Sequence, residues 1–363
     1  STFKLASFLS LLEDGYKKLS DTIDTGDGKI EFYGSPKSDT KRFGYGKITF
    51  GDAFVVSSNV AISKEIFNHY NSKEGKKRFY ENLQKFQLTE PLELQLPYTS
   101  TMVVKPPEEW SGVTLPSMSI GYEMQISPIH ILTFYNAIAN NGKMISPRFV
   151  TSIKDETGVF KSFPTTIISK NIFSEETIKS IKPYMEQVIS CENCRTYKRK
   201  IPQRSKKDGR IYQVSDKYQI KGTANDIYTK EYSIAGKTGT CKVRFNDWDK
   251  QTKFERSYSS SFVGFFPVEK PKYSCIVVIY DFKDTTDKNH YGGQIAAPVF
   301  KQISDKVYAF DSELQDSISN QSNVSLEETL EKLENSIISD KKKIIEIKLD
   351  LEKGIMPDLT GMK

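Results

Sequence analysis

The chain has 363 residues, of which 37% are hydrophobic and 27% charged, and its formal net charge is +6. This length and composition allow a sizeable buried core and exclude a disordered or membrane-embedded chain, since no apolar run reaches the ~18–20 residues of a bilayer span. The mild positive charge fits an anionic partner but comes without a nucleic-acid-binding signature, so no nucleic-acid partner is expected.

Apolar residues at spacings of three and four predict most of the helices in the first half of the chain. The region 20–52, rich in Gly, Asp and Lys, is expected to be loop with short strands. Ser and Pro at the start of the third helix and Asn-Gly at its end are typical helix boundaries. Helices are predicted at Thr2 to about Glu13, about Asp52 through Tyr70, Ser127–Gly142 and about Ser174 to Ile189.

A basic insertion at about 190–230 interrupts this pattern. We interpret it as a solvated loop; the alternative is a contact site for an anionic glycan, lipid or partner. Its basic residues are Arg195, Lys198, Arg199, Lys200, Arg204, Lys206, Lys207 and Arg210.

The four cysteines are too few for a disulfide scaffold in a chain of this length. Cys191 and Cys194 form a lone CxxC, for which free thiols are favoured over a local disulfide or a metal site. No metal is expected, because no second pair or nearby histidines follow. Cys241 and Cys275 are expected to be small buried fillers of strands.

Three runs rich in β-branched and aromatic residues, followed by a helix, end the globular part. The spacing of the runs predicts an antiparallel meander. The strands are predicted at Ser233–Val243, Ser257–Phe266 and Tyr273–Phe282, and the helix at about Gln294 to Phe310.

Three short motifs carry the candidate chemistry. In Ser1-x-x-Lys4, one helical turn brings an amine within reach of a hydroxyl, and a lysine of lowered pKa could activate that serine. Ser57-Ser58-Asn59 offers a hydroxyl and an amide two residues apart. In Lys237-Thr238-Gly239-Thr240, a cation and hydroxyls suit a carboxylate, while Gly239 leaves room for a substrate backbone. Each motif is weak alone, but their order and joint occurrence are typical of penicillin-binding proteins and serine β-lactamases.

Further segments make the chain resemble class B penicillin-binding proteins, which are peptidoglycan D,D-transpeptidases. The resemblance extends nearly continuously from residue 1 to about 308, and the final Met356-Pro357-Asp358-Leu359-Thr360-Gly361 resembles the start of a PASTA module, which favours the septal, division-specific type. The segments are Ser1 to Ser7, Val55 to Val60, Gly121-Tyr122-Glu123, Ala137 to Gly142, Ile234 to Thr240 and Ser261 to Pro267.

The resemblance implies an α/β (α+β type) fold, with an antiparallel sheet flanked by helices and a mainly helical subdomain. It divides the chain into a transpeptidase catalytic domain at 1–308, a linker with helical segments at 309–353, and the start of a truncated PASTA-like module at 354–363. Family members carry an N-terminal membrane anchor, which places the catalytic domain on the periplasmic face of the bacterial inner membrane.

The resemblance also implies roles for the site residues. Ser1 would be the nucleophile and Lys4 its base, while Ser57 would pass a proton to the leaving D-alanine and Asn59 would hold the amine and a substrate carbonyl. The backbone N–H groups of Ser1 and Thr240 would form the oxyanion hole. The terminal carboxylate of the substrate would be held by Lys237, Thr238 and Thr240.

The partners implied are stem peptides or their lipid-linked precursor, β-lactams, a glycosyltransferase and division proteins; no cofactor is implied. A chain that begins at Ser1 is expected to acylate poorly, because a free amine replaces the backbone N–H and the first helix lacks its cap.

Three alternatives stay open. A serine β-lactamase or a β-lactam sensor shares the motifs, although no base for deacylation is evident between Asn59 and Lys237. An N-terminal nucleophile would explain Ser1 alone. A non-catalytic module would keep the fold without the chemistry.

Overall fold

The structure, a computed structural model, describes residues 2–95, 102–191, 194–205, 209–243, 257–283 and 290–319. Ser1, most of the predicted linker and the PASTA-like segment 354–363 lie outside the described residues. The chain divides into two compact units, residues 1–304 and 305–363. The second unit contains the end of the helix Gly292–Phe310, followed by a helix at 312–319. Within the described residues, none of the helices combines the length and apolarity that a membrane crossing requires.

The first unit is built from helices around several small antiparallel sheets. The helices are α1 (Lys4–Glu13), α2 (Phe50–Val55), α3 (Asn59–Tyr70), α4 (Lys73–Lys85), α5 (Thr114–Met118), α6 (Pro128–Ala139), α7 (Glu175–Gln187) and α8 (Gly292–Phe310). The strands are β1 (Thr22–Asp24), β2 (Lys29–Phe32), β3 (Ser35–Ser38), β4 (Lys47–Thr49), β5 (Val103–Val104), β6 (Met124–Gln125), β7 (Met144–Ile145), β8 (Ser152–Asp155), β9 (Gly158–Ser162), β10 (Ile167–Ser169), β11 (Thr196–Arg204), β12 (Ile211–Gln219), β13 (Ala235–Val243), β14 (Ser257–Phe266) and β15 (Tyr273–Lys283).

The predicted meander is confirmed as the sheet β13-β14-β15, whose strands pair antiparallel. Alternate residues of a strand point to opposite faces, so neighbouring phenylalanines of β14 pack on different layers. Phe262 contacts Phe300 of α8, with ring centroids 4.7 Å apart. On the other face, Phe265 lies near Lys182 of α7, and Ser274 bonds Asn136 of α6. The sheet is therefore flanked by helices on both faces, as the predicted fold class requires.

Helix α1 is buried along most of its length, because its apolar residues pack against the helices α2, α3, α4 and α7. Leu5, Phe8 and Leu9 are fully buried, and Phe8 stacks on Phe50 of α2 with centroids 4.2 Å apart. This confirms the first predicted helix.

The single helix predicted from Asp52 to Tyr70 is wrong, because the chain turns sharply between α2 and α3. Ser57 adopts a left-handed φ of 57°, which breaks the helical bonding pattern. Ser58 then caps α3 by accepting a bond from the Ala61 N–H at 3.0 Å. The break places Ser57 and Ser58 of the second motif in a turn, where Ser58 is buried and Ser57 half-buried, rather than inside a helix.

The basic insertion is a β-hairpin rather than a loop, so that prediction is wrong. Strands β11 and β12 pair over nine residues each. Tyr197 on one face bonds the buried carboxylate of Asp52 at 2.5 Å, which ties the hairpin to α2. On the outward face, the exposed Lys198 and Lys217 lie opposite one another.

Cys191 and Cys194 form a disulfide at the base of the hairpin. The favoured interpretation as free thiols is therefore wrong for this pair, and neither sulfur is available to a metal. Cys241 and Cys275 are free, but both are only half-buried, so they are not the small buried fillers that the sequence predicted.

Candidate active site

Lys4 is a buried amine in direct contact with the second motif. Its side chain is 2% exposed, and its Nζ donates to the Ser57 carbonyl oxygen at 2.6 Å and lies 3.0 Å from Ser57 Oγ. Burial lowers the pKa of Lys4 from 10.5 to about 7, although the negative charge of Asp39 opposes this shift. A large fraction of the amine is therefore neutral near pH 7 and can accept a proton.

The turn between α2 and α3 holds Ser57 and Asn59 at the edge of the site. Its left-handed residue, Ser57, directs both its carbonyl and its hydroxyl oxygen to Lys4. The Asn59 side chain donates to the Ser38 carbonyl at 2.8 Å, which fixes the orientation of the amide. The hydroxyl predicted to relay a proton thus already contacts the predicted base.

Strand β13 carries the third motif, and the strand alternation separates its members. Thr238 and Thr240 point toward the start of α8: the Thr240 hydroxyl oxygen accepts from the Gly292 N–H at 2.9 Å, and the Thr238 hydroxyl contacts that of Thr223 at 2.7 Å. Lys237 faces the other way, fully buried, with its Nζ 5.6 Å from the Phe54 ring centroid. Burial, and secondarily the charge of Lys4, hold the pKa of Lys237 well below its usual value.

Gly239 is required by close packing on the α1 side of the strand. A Cβ at this position would lie 2.3 Å from Ser261 Oγ and 3.0 Å from Thr2 Cγ2. The space into which a side chain at this position would point is thus occupied by the protein itself, whereas the approach of a substrate backbone to this strand stays a prediction. The same packing places Thr2 against β13, and its carbonyl accepts from Tyr135 OH at 2.8 Å.

A cavity of about 580 Å³ brings most of these residues together. Its lining includes Lys4, Ser57, Asn59, Thr238 and Thr240 from the three predicted motifs. Lys237 is not among the lining residues. Ser1, the predicted nucleophile, lies outside the described residues.

Lysines and one carboxylate dominate the charge of the cavity wall. Among the described residues, Lys221 and Lys242 line it together with Lys4, and Asp226 contributes an acidic group. The excess of cationic groups suits an anionic ligand such as a terminal carboxylate.

Comparison with known proteins identifies the fold family. Residues 1–305 match the family of the penicillin-binding protein transpeptidase domain. The chain belongs to this family. The resemblance that the motifs suggested is thereby confirmed.

Curated relatives share modest identity with this transpeptidase domain. "Penicillin-binding protein PbpB" of Mycolicibacterium smegmatis is 26% identical over 313 residues, which is 84% of this chain and 42% of the relative. "Peptidoglycan D,D-transpeptidase FtsI" of Buchnera aphidicola is 28% identical over 200 residues, which is 55% of this chain and 27% of the relative. The chain thus spans less than half the length of these two relatives.

Solved structures share the fold of the transpeptidase domain. The transpeptidase domain of penicillin-binding protein 3 from Burkholderia pseudomallei aligns with a TM-score of 0.61 at 21% identity, covering 86% of this chain and 78% of that chain. Penicillin-binding protein 3 from Mycobacterium tuberculosis, solved in complex with aztreonam, aligns with a TM-score of 0.60 at 23% identity, covering 85% of this chain and 61% of that chain.

The sequence did not reveal every group at the site of this transpeptidase domain. Asp39, from the Gly- and Asp-rich region 20–52, bonds the second motif from about twenty residues away, and no local pattern marks it. Thr223 contacts Thr238 across a loop. His290 lines the cavity and stacks on Tyr258, with ring centroids 4.1 Å apart, although no sequence motif assigned it a role. His130 is buried inside the molecule, where packing explains it.

Proposed function

We propose that this domain is a serine D,D-transpeptidase that cross-links peptidoglycan stem peptides through an acyl-enzyme on Ser1. The observation that carries the proposal is the contact between a buried amine of lowered pKa and the Ser57 hydroxyl, on the wall of a cavity that also exposes the β13 threonines. Such an amine is a competent general base near neutral pH.

In the first half-reaction, Ser1 Oγ attacks the carbonyl carbon between the last two D-alanines while neutral Lys4 takes the hydroxyl proton. The backbone N–H groups of Ser1 and Thr240 stabilise the oxyanion. The C–N bond then breaks, and the proton passes from Lys4 through Ser57 to the departing amine of D-alanine. The proton route follows the 3.0 Å contact between Lys4 Nζ and Ser57 Oγ.

In the second half-reaction, an amine of another stem peptide attacks the acyl-enzyme carbonyl. Lys4 takes a proton from that amine and returns one to Ser1 Oγ as the ester bond breaks. Asn59, whose orientation is fixed by Ser38, holds the substrate amide, and a β-lactam acylates Ser1 by mimicking the D-Ala-D-Ala end.

The substrate carboxylate is held by the hydroxyls of Thr238 and Thr240 at the cavity wall. Lys237 lies behind the strand, where burial disfavours its ammonium form. An approaching carboxylate favours protonation of this amine, so Lys237 contributes positive potential when the substrate is bound.

The setting of the activity is part of the proposal. The names of the relatives support peptidoglycan transpeptidation. The role in division, the position on the periplasmic side of the inner membrane and the neighbouring glycosyltransferase are proposed from the family resemblance. The substrate is the pentapeptide stem or its lipid-linked precursor.

Release of D-alanine from a stem pentapeptide tests the activity. A version extended by several residues before Ser1, so that residue 1 carries an amide N–H, should release D-alanine, and Ser1→Ala should abolish the release. With nitrocefin, the same protein should give one slow-decaying adduct per chain. Continuous nitrocefin hydrolysis would favour a β-lactamase, and D-alanine release that persists in Ser1→Ala would contradict the proposed nucleophile.

A further inference from the structure

Asp39 is a half-buried carboxylate that contacts the turn carrying the second motif. It follows β3 and accepts hydrogen bonds from three donors at the start of α3. The Ser58 hydroxyl lies 3.0 and 2.9 Å from its two carboxylate oxygens, and the backbone N–H groups of Asn59 and Val60 donate to Oδ1 at 2.7 and 3.0 Å. The neighbouring Ser38 accepts from the Asn59 side chain. Two consecutive residues, Ser38 and Asp39, thus accept hydrogen bonds from the turn.

The turn needs this support because its central residue is in an unfavourable conformation. A non-glycine residue at a φ of 57° costs of the order of 1 kcal/mol or more and persists where its surroundings hold it. On the α2 side, the N–H groups of Ser57 and Ser58 donate to the carbonyls of Phe54 and Ala53. On the α3 side, the bonds that hold the turn are those to Asp39 and Ser38.

We propose that Asp39 is a positioning residue for acyl transfer, which holds Ser57 in the left-handed conformation that directs its two oxygens to Lys4. This inference rests on the proposed function, since it assigns Asp39 a part in preparing the base and the proton relay. Asp39 does not touch the reacting atoms.

Asp39 also acts on Lys4 through its charge. Among the described residues, the charge of Asp39 acts on the pKa of Lys4, and the charge of Lys4 acts on the pKa of Lys237. The turn itself presents the neutral oxygens of Ser57 to Lys4. The carboxylate stabilises the ammonium form of Lys4 and so opposes the lowering of its pKa by burial. Removing the negative charge should therefore lower the pKa of Lys4 further.

Asp39→Asn tests both effects, because the amide keeps the size of the side chain but loses the charge and one acceptor oxygen. The acylation rate constant at saturating fluorescent penicillin should fall on the order of 100-fold, as expected when a relay group is misplaced by about 1 Å. The apparent dissociation constant should change much less than the rate constant, because Ser57 acts on the chemical step whereas only Asn59 of this turn contacts the substrate. The rate rises with pH as Lys4 loses its proton. Because the pKa of Lys4 should be lower in Asp39→Asn, the acid limb of the rate profile should move to lower pH.

Ser58→Ala separates the effect of the hydrogen bonds to Asp39 from the effect of its negative charge. It removes one bond to Asp39 and leaves the carboxylate in place, so the rate constant should fall less and the acid limb should stay at the wild-type pH. Asp52→Asn is the matched control: this buried carboxylate also lies before Ser57, but it bonds Arg195 and Tyr197 of the hairpin. It should lower the Tm without moving the acid limb.

An Asp39→Asn protein that acylates as fast as wild type, with an unmoved acid limb, would overturn the inference. The pKa of Lys4, followed by NMR of the labelled lysine, provides a readout that needs no catalysis. If wild type does not react with penicillin while Asp39→Asn still lowers the pKa of Lys4, the proposed function fails and the electrostatic link from Asp39 to Lys4 remains. If the pKa of Lys4 does not change, that link is refuted.

Discussion

Replacing Lys4 with methionine should stabilise the protein, and more so at low pH. The amine is buried, and its pKa falls from 10.5 to about 7 on folding, so the folded state disfavours the ammonium form. Methionine has a similar length and no charge to bury. The expected gain is offset in part by the loss of the two contacts with Ser57.

The size of the effect follows from proton linkage. Since the folded-state pKa of this cation is lowered, folding releases protons, and the cost of burying Lys4 grows as the pH falls from 10.5 to about 7 and is constant below. One pKa unit corresponds to about 1.4 kcal/mol. Between pH 9 and pH 6, the free energy of unfolding of wild type should therefore fall by about 3 kcal/mol relative to Lys4→Met.

Urea denaturation of both proteins at pH 6 and pH 9 measures this difference. Lys73→Met, which replaces an exposed lysine of α4, is the control and should differ from wild type by the same amount at both pH values. A difference between wild type and Lys4→Met that does not depend on pH would refute the assignment of Lys4 as a base of lowered pKa.

Two further predictions concern the packing of β13 and the cysteines. Gly239→Ala should lower the free energy of unfolding by about 1–3 kcal/mol, because its Cβ would overlap Ser261 and press on Thr2; a Tm equal to that of wild type would contradict the close packing. Denatured protein without reductant should titrate two thiols with Ellman's reagent, and reduced protein four, whereas four thiols before reduction would rule out the disulfide between Cys191 and Cys194.

The sequence predicted the parts of the fold that repeat a local pattern. The strands at Ser257–Phe266 and Tyr273–Phe282 match β14 and β15 within one residue, because β-branched and aromatic residues are dense there. It also predicted five residues of the cavity wall. Each of the three short motifs is weak evidence alone, but their occurrence together in one order indicates a common site.

The errors arise where long-range contacts decide the conformation. Ser57 follows the apolar run Phe54-Val55-Val56 without a glycine, so nothing local predicts a left-handed residue; Asp39, distant in sequence, helps to stabilise it. By contrast, the hairpin did carry a signal, since Tyr197 and Ile201 of β11 alternate with exposed basic residues. Because so many residues of this segment are charged, the alternation of inward and outward side chains, which is typical of a strand, was not recognised.

Helix α4 also had readable signals that the sequence interpretation missed. Ser72 caps it by accepting from the Gly75 N–H, and Phe79 and Leu83, four residues apart, are buried. The orientation of Lys237 could have been read from strand alternation, which places it on the opposite face from Thr238.

Peptide mapping by mass spectrometry after reaction with benzylpenicillin tests the central claim most directly. The extended protein should gain one penicilloyl adduct, confined to the peptide that contains Ser1 and Lys4, and Ser1→Ala should gain none. An adduct on any other peptide, or a full adduct in Ser1→Ala, would contradict the account.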